Sequence, residues 1–482
     1  MPDLRPVGYI IGLLTAVLGV AMLIPMGVDL LAGDPNGWSF LATALITALS
    51  GLAVALACAG GAGAGLTLRQ SFLLATGTWV ALPVFGMLPF VLGAPGVGLT
   101  DAFFEAMSGM TTTGTTVFTR LEELPRGTLL WRSLLQWLGG LGIVIVALIF
   151  LPVMKTGGMQ HFRSEGFDTL GKVLPRALDI SRGLVQVYVG LTALCALAYV
   201  SLGMAGFEAL NHAMTTIATG GFSTSDESFS QFGAGAQYAA VIFMILSGLP
   251  FVRFVQLSGG SFAPLWQDVQ VRAYVRWSGY AIASVFLYRM WHEGGGIETT
   301  LRESAFNVVS LFSGTGYGTA DPSAWGAFPL LVVLVAGLVG ACTASTGCSL
   351  KVFRYLVLLE AIKTQLRRIH SPNRVIPVRL GGRPLSEDVI NSVIALFALF
   401  LFSFGVTAVL LSLAGLEMRT AITAAWTAIC NVGPAYGPEV GASGAVDGFP
   451  TPAKWIMIAA MLLGRLELIS VLVLLLPRFW RG

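Results

Sequence analysis

SGTGYG, residues 313–318, stands between two apolar runs, and three variants of it occur elsewhere in the chain. TTTGTT covers 111–116, ATGGFS 218–223 and NVGPAY 431–436. Aligning Gly114, Gly220, Gly316 and Gly433 puts Thr113, Thr219, Thr315 and Val432 in front of them. These glycines are separated by about 106, 96 and 117 residues, an internal repeat of long period. A short helix-like run precedes each loop: DAFFEAMSGM, FEALNHAMTT, ESAFNVVSLF and TAITAAWTAI.

The surroundings of these loops are those of a bilayer. Of 482 residues, 55% are hydrophobic and 11% charged, against about 25% charged in soluble domains. No cleavable signal is evident at the start, MPDLRPVGY. Apolar stretches of spanning length fall near 8–32 and 38–59, a hairpin without a glycine loop. Further pairs flank each loop: 70–93 and 131–153, 183–203 and 237–258, 273–291 and 327–348, 389–414 and 453–477. The predicted fold is an all-α integral membrane protein of ten spans and four re-entrant loops. It divides into the hairpin 1–66 and repeats at 67–160, 161–265, 266–370 and 371–482. Each repeat reads helix, half-helix, glycine loop, helix, so all four loops enter from one face.

Charge supports that topology. The face carrying the N-terminus holds about 20 Lys/Arg and about 8 Asp/Glu, and the loop face about 7 and 16. The positive-inside rule places both termini in the cytoplasm. Asp101, Glu105, Glu208, Asp226, Glu227, Asp321 and Glu439 form an acidic outer face that would either concentrate cations or keep short loops soluble. The polar connections 155–182 and 361–388 are basic. Nothing indicates nucleic-acid binding. GGAGAG at 60–65 lacks the strand and helix of a dinucleotide fingerprint, so any nucleotide control must come from another chain. The five cysteines lie in apolar segments without zinc spacing, and the four histidines are scattered, so neither an enzyme nor an organic cofactor is expected.

Three constellations carry chemistry. A glycine adopts backbone angles that a β-carbon forbids, and irregular backbone at membrane depth is tolerated where protein buries it or it lines a wet cavity. Four parallel glycine loops therefore imply an axial pore. Thr-Gly-Tyr-Gly also occurs in potassium filters, where carbonyls replace the ion's hydration shell. The candidate ion-binding residues, largely through backbone carbonyls, are Thr112, Thr113, Gly114, Ala218, Thr219, Gly220, Gly314, Thr315, Gly316, Asn431, Val432 and Gly433.

The second constellation, GLVGACTASTGCSLK at 337–351, interrupts an apolar stretch with small and polar residues. It is either a packing surface or a broken helix lining a cavity below the third loop, with Gly340, Thr343, Ser345, Thr346, Gly347, Ser349 and Lys351 as its candidate functional residues. The third is Arg465, with Glu467 nearby, in the last span. A central arginine costs about 2.5–3.5 kcal/mol on insertion scales, so it must face protein or water, as a strut or as a positive barrier.

Together SGMTTTGTTV, the WRSLLQWLGGLGIVIVALIFLP helix, TTIATGGFST, the Gly-Ser-Thr break and LLGRLE with terminal PRFWR resemble the Trk/Ktr/HKT superfamily of potassium transporters, in its TrkH branch. The resemblance covers the whole chain. It implies four membrane–pore–membrane repeats in a pseudo-fourfold arrangement, potassium as the transported ion, and a bacterial inner-membrane location. It also implies a homodimer, a cytosolic nucleotide-binding regulatory ring and contact with membrane lipid. Within it, 340–349 is an intramembrane gating loop and Arg465 projects toward the permeation path. Cys342 and Cys348 depart from a gating loop usually richer in glycine, and Pro434 follows the fourth filter glycine. A gated, channel-like uptake pore is the primary expectation. A symporter coupled to sodium or protons is the alternative, although the repeats are parallel and Glu467 is the lone deep acid.

Overall fold

In the computed structural model, residues 3–63, 65–149, 173–374, 376–466 and 468–481 are described. Among the described residues the regular structure is helical apart from a small antiparallel ribbon, Arg379–Leu380 paired with Arg383–Pro384. Helices α1 (Arg5–Ala21) and α2 (Leu23–Leu31) pack on α3 (Asn36–Ala57). Their contact is close because Gly12, Gly19 and Gly51 leave no room for a β-carbon against the facing backbone.

Four short helices organise the remainder. They are α5 (Leu99–Met110), α8 (Gly206–Ile217), α12 (Ile297–Ser313) and α16 (Met418–Cys430), of 12, 12, 17 and 13 residues. At about 1.5 Å per residue none spans an apolar core about 30 Å thick. Each ends immediately before a glycine loop. Longer helices flank them: α4 (Leu68–Gly86) and α6 (Arg126–Ile149), α7 (Val173–Ser201) and α9 (Ala234–Ser247), α11 (Val269–His292) and α13 (Ala327–Val339), α15 (Glu387–Leu413) and α17 (Thr451–Arg465). Two further helices, α10 (Phe251–Ser258) and α14 (Val352–His370), continue α9 and α13 beyond breaks.

Among the described residues, six helical stretches are long and apolar enough to cross a membrane: Arg5–Leu31, Asn36–Ala57, Leu68–Leu92, Arg126–Ile145, Ser181–Ser201 and Glu387–Leu413. A seventh is α9 with α10, bent by 94° between them. The stretch 237–258, expected as one apolar span, is therefore broken at Gly248-Leu-Pro250. Pro250 has no N–H to continue a helix. Two other expected spans are interrupted as well. Helix α13 stops at Gly340, with φ +72°, and α17 stops at Arg465. Arg465 therefore lies at the end of a 15-residue helix, not halfway along a continuous one.

The candidate ion pathway and its plug

The glycine loops start alike. At the end of each short helix one residue turns left-handed: Thr112, Thr219, Gly314 and Asn431. Two residues later a glycine does the same: Gly114 (φ +86°), Gly221 (+76°), Gly316 (+86°) and Gly433 (+115°). The residue between them donates its N–H to the carbonyl five positions upstream. These bonds are Thr113 to Ser108 (2.9 Å), Gly220 to Thr215 (2.9 Å), Thr315 to Ser310 (2.8 Å) and Val432 to Thr427 (3.2 Å).

This geometry corrects the alignment in the second loop. Gly221, not Gly220, matches Gly114, Gly316 and Gly433, and Gly220 matches Thr113, Thr315 and Val432. ATGG offers two glycines, and the choice between them needed a second marker. A hydroxyl six residues before the glycine was that marker: Ser108, Thr215, Ser310 and Thr427 line up only in the corrected register.

The four loops form a closed ring. A β-carbon on Gly114 would strike the Gly220 carbonyl oxygen, one on Gly221 that of Thr315, and one on Gly316 that of Val432. One on Gly433 would lie 3.0 Å from the Thr113 oxygen. Each glycine thus gives way to the carbonyl of the next loop, and left-handed backbone is open to glycine at little steric cost. Four short helices aim their C-terminal ends at this ring. Their orphan carbonyls and aligned dipoles make the centre favourable to a cation.

Side chains lock the ring from behind. Thr115 Oγ1 donates to the Gly433 carbonyl (2.6 Å), and Gln136 Nε2 to that of Gly220 (2.6 Å). Asn431 Nδ2 reaches Thr113 Oγ1 (2.8 Å) and the Met461 carbonyl (3.0 Å). Tyr317, from the Thr-Gly-Tyr-Gly stretch, turns away from the ring to hydrogen-bond with Thr215 and the His212 carbonyl.

Behind the first two loops lies an ion pair that charge counting missed. Glu105 and Arg132 are fully buried and 2.8 Å apart. Glu105 also accepts from the Val117 N–H (3.0 Å) and from Thr116 Oγ1. Arg132 donates to the Ser223 carbonyl (2.9 Å), and its guanidinium lies 4.2 Å from the centre of the Phe222 ring. Glu105 therefore does not belong to an acidic outer surface. Other acids assigned there are also engaged: Asp101 with Lys454 (2.7 Å), Asp226 with the Arg120 N–H (2.7 Å), and Glu439 with the Glu417 N–H (2.7 Å) and Thr420. Asp101, Glu208 and Glu298 stand in the first turns of α5, α8 and α12, where a negative charge suits the helix dipole.

The segment 340–351 folds beneath the ring. It runs through left-handed Gly340, Ala344, Ser349 and Lys351, and residues 340–350 are buried apart from half-buried Ser349. Thr346 Oγ1 donates to the Ile217 carbonyl at the end of α8 (3.0 Å), and Ser349 Oγ to that of Cys430 at the end of α16 (3.2 Å). A β-carbon on Gly347 would come within 2.7 Å of the Ser313 carbonyl at the end of α12. Two of the four short-helix ends are thus capped by hydroxyls of this one segment, and a third is closely approached by it. The bend at 248–250 holds its other side: Cys342 N–H donates to the Gly248 carbonyl (3.0 Å) and Phe251 N–H to that of Ala344 (2.9 Å). Thr343 N–H donates to Gln270 Oε1 (3.0 Å), and Ser345 Oγ to the Cys342 carbonyl (2.7 Å).

Arg465 approaches from the opposite side. It is 3% exposed, and Nη1 lies 3.4 Å from the Thr346 carbonyl and contacts Cys348 Sγ. Nε and Nη2 have no hydrogen-bond partner among the described residues. Arg465, Lys351, Arg354, Cys348 and Gly347 line a cavity of about 20 Å³ just below the segment, room for about one water. Glu467 and the basic stretch 155–172 lie outside the described residues. Among the described residues no cluster of His, Cys, Asp and Glu could hold a metal ion.

The sequence matches the TrkH family, cation transport proteins, over residues 40–258 and 297–481. It is 37% identical to the Trk system potassium uptake protein TrkI of Halomonas elongata, over 99% of this chain and 97% of that one. It is 35% identical to the Trk system potassium uptake protein TrkH of Escherichia coli, over 99% of both. The crystal structure of the potassium transporter TrkH from Vibrio parahaemolyticus superposes with a TM-score of 0.91 at 31% identity, covering both chains in full. The apolar helices, the ring of glycine loops and these full-length likenesses lead to one conclusion: the chain belongs to the TrkH family of membrane cation transport proteins.

Proposed function

We propose that this protein takes up potassium across the bacterial cytoplasmic membrane through a gated, channel-like pore on the axis of the four glycine loops. The observation that carries the reading is the closed ring in which each glycine makes room for a carbonyl of the next loop. The full-length likeness to named potassium uptake proteins supports potassium as the ion. Carbonyls of 112–114, 219–221, 314–316 and 431–433 take the place of the ion's water, while the short-helix ends offset its charge. Selectivity is looser than in a four-identical-loop filter, since the side chains locking each loop differ.

The segment 340–351 is the gate. Its hydroxyls occupy carbonyls that would otherwise face a passing ion, and Arg465 adds a positive charge that is poorly screened in a dry site. Opening requires withdrawal of the segment and loss of the Thr346 and Ser349 hydrogen bonds. The pore is built from four pseudo-fourfold repeats, 67–160, 161–265, 266–370 and 371–482, in a chain of ten crossings with cytoplasmic termini. The protein works as a homodimer with a cytosolic nucleotide-binding ring docked on the basic inner face, including Arg367 and Arg368. Both arginines are exposed at the end of α14. Flux into proteoliposomes, driven by potassium and membrane potential alone, tests the mechanism. Uptake without a sodium or proton gradient is expected, and a strict requirement for either gradient would establish the symport alternative.

A further inference from the structure

A second cavity, of about 350 Å³, lies between α1, α4 and α6, away from the pore axis. Its walls are apolar: Leu18, Leu74, Ala75, Trp79, Leu138 and Leu141 are among them. Leu14 and Val17, at 40% and 62% exposure, stand on its rim. The three helices belong to stretches long and apolar enough to cross a membrane, so the mouth opens on hydrocarbon. A dry apolar cavity of this size lacks the polar partners that hold water. At about 350 Å³ it is many times larger than the space that holds one water.

The inner wall of the cavity reaches the pore machinery. Met110, the last residue of α5, lines it. Trp79 is 4% exposed, and the Arg465 guanidinium lies 5.7 Å from its ring centre. Whatever fills the cavity therefore packs against the same indole side chain that lies beside Arg465. We propose that one acyl chain of a membrane lipid occupies this cavity and buttresses Trp79 against Arg465. The effect on flux rests on the gating role of Arg465 given above, whereas occupancy of the cavity does not.

The test uses full-length protein in vesicles containing a phospholipid with a photoactivatable group along its acyl chain, followed by peptide mass spectrometry. Label is expected on the buried wall residues Leu74 and Trp79 as well as on the rim. Two filling variants act from opposite walls: Ala75→Phe on α4, and Gly142→Leu on α6, where a β-carbon would meet only Trp79, at 3.8 Å. Both should abolish wall labelling and leave rim labelling at Leu14 and Val17 intact. Wall labelling that persists in both variants, or wild-type label confined to the rim, overturns the site. Because the fillers take the lipid's place against Trp79, potassium flux should depend on the acyl-chain length of the vesicle lipid in the parent and lose that dependence in both variants; the same dependence in parent and variants overturns the buttress. Silent Arg465 variants with wall labelling retained would instead count against the gating role alone.

Discussion

The Arg465 guanidinium reaches the main-chain carbonyl of Thr346 across 119 residues of sequence, at 3.4 Å. It thereby ties helix α17 to the segment under the ring. Because an arginine stays charged at any accessible pH, titration does not release this tie. Arg465→Ala should raise potassium uptake per folded molecule, and Arg465→Lys should stay nearer the parent rate. Proteoliposome flux normalised to monodisperse protein reads both. Poor yield with no gain in flux would make Arg465 a strut.

Shortening 340–349 should raise flux further while leaving potassium preferred over sodium, since the ring above does not depend on the segment for its own hydrogen bonds. Unchanged flux in the shortened protein would assign the segment to helix packing.

The Glu105–Arg132 pair should be a structural necessity for the first two loops. Breaking a buried pair costs about 3–5 kcal/mol, because one charge is left without its partner. Arg132→Met should accordingly lower the melting temperature sharply. Glu105→Gln keeps a hydrogen-bonding group and should cost less. Equal, small losses in both variants would show that water reaches the pair.

Glu439 supplies a pH test outside the membrane. The hydrogen bond from the Thr420 hydroxyl, with help from the Glu417 N–H, holds its carboxyl below the ordinary value of 4.5. A depressed folded value means that the ionised form stabilises the fold above the ordinary value, and that this stability is lost as pH falls through the folded one. The melting-temperature gap between parent and Glu439→Gln should therefore be widest near neutrality and close below about pH 4.5. A gap independent of pH would mean that the bonds to Glu439 do not depend on its charge.

Much of this architecture is legible from residue types. A glycine is demanded wherever the backbone turns left-handed against a neighbouring carbonyl, so Gly114, Gly316 and Gly433 stand out. The run of small residues from Gly340 to Ser349 likewise shows where a helix fails. What resists reading is burial and partner choice. Glu105 looks like one more outer-face acid until Arg132, 27 residues later, is seen beside it. The two glycines of ATGG are indistinguishable until the hydroxyl of Thr215 is matched with Ser108, Ser310 and Thr427. The break at Pro250 was present in the sequence, but its use as a socket for 342–344 depends on a contact between distant segments.

The central claim is that ions pass through the ring of four loops, and the register of the second loop tests it most directly. Gly221→Ser forces a β-carbon into the Thr315 carbonyl, whereas a β-carbon on Gly220 meets the side chain of Gln136. Potassium and sodium fluxes should be measured in proteoliposomes for Gly221→Ser, Gly220→Ser and Gly316→Ser. The account predicts that Gly221→Ser and Gly316→Ser lose potassium preference together, with Gly220→Ser less affected. Parental selectivity in both Gly221→Ser and Gly316→Ser, at parental flux, would contradict it.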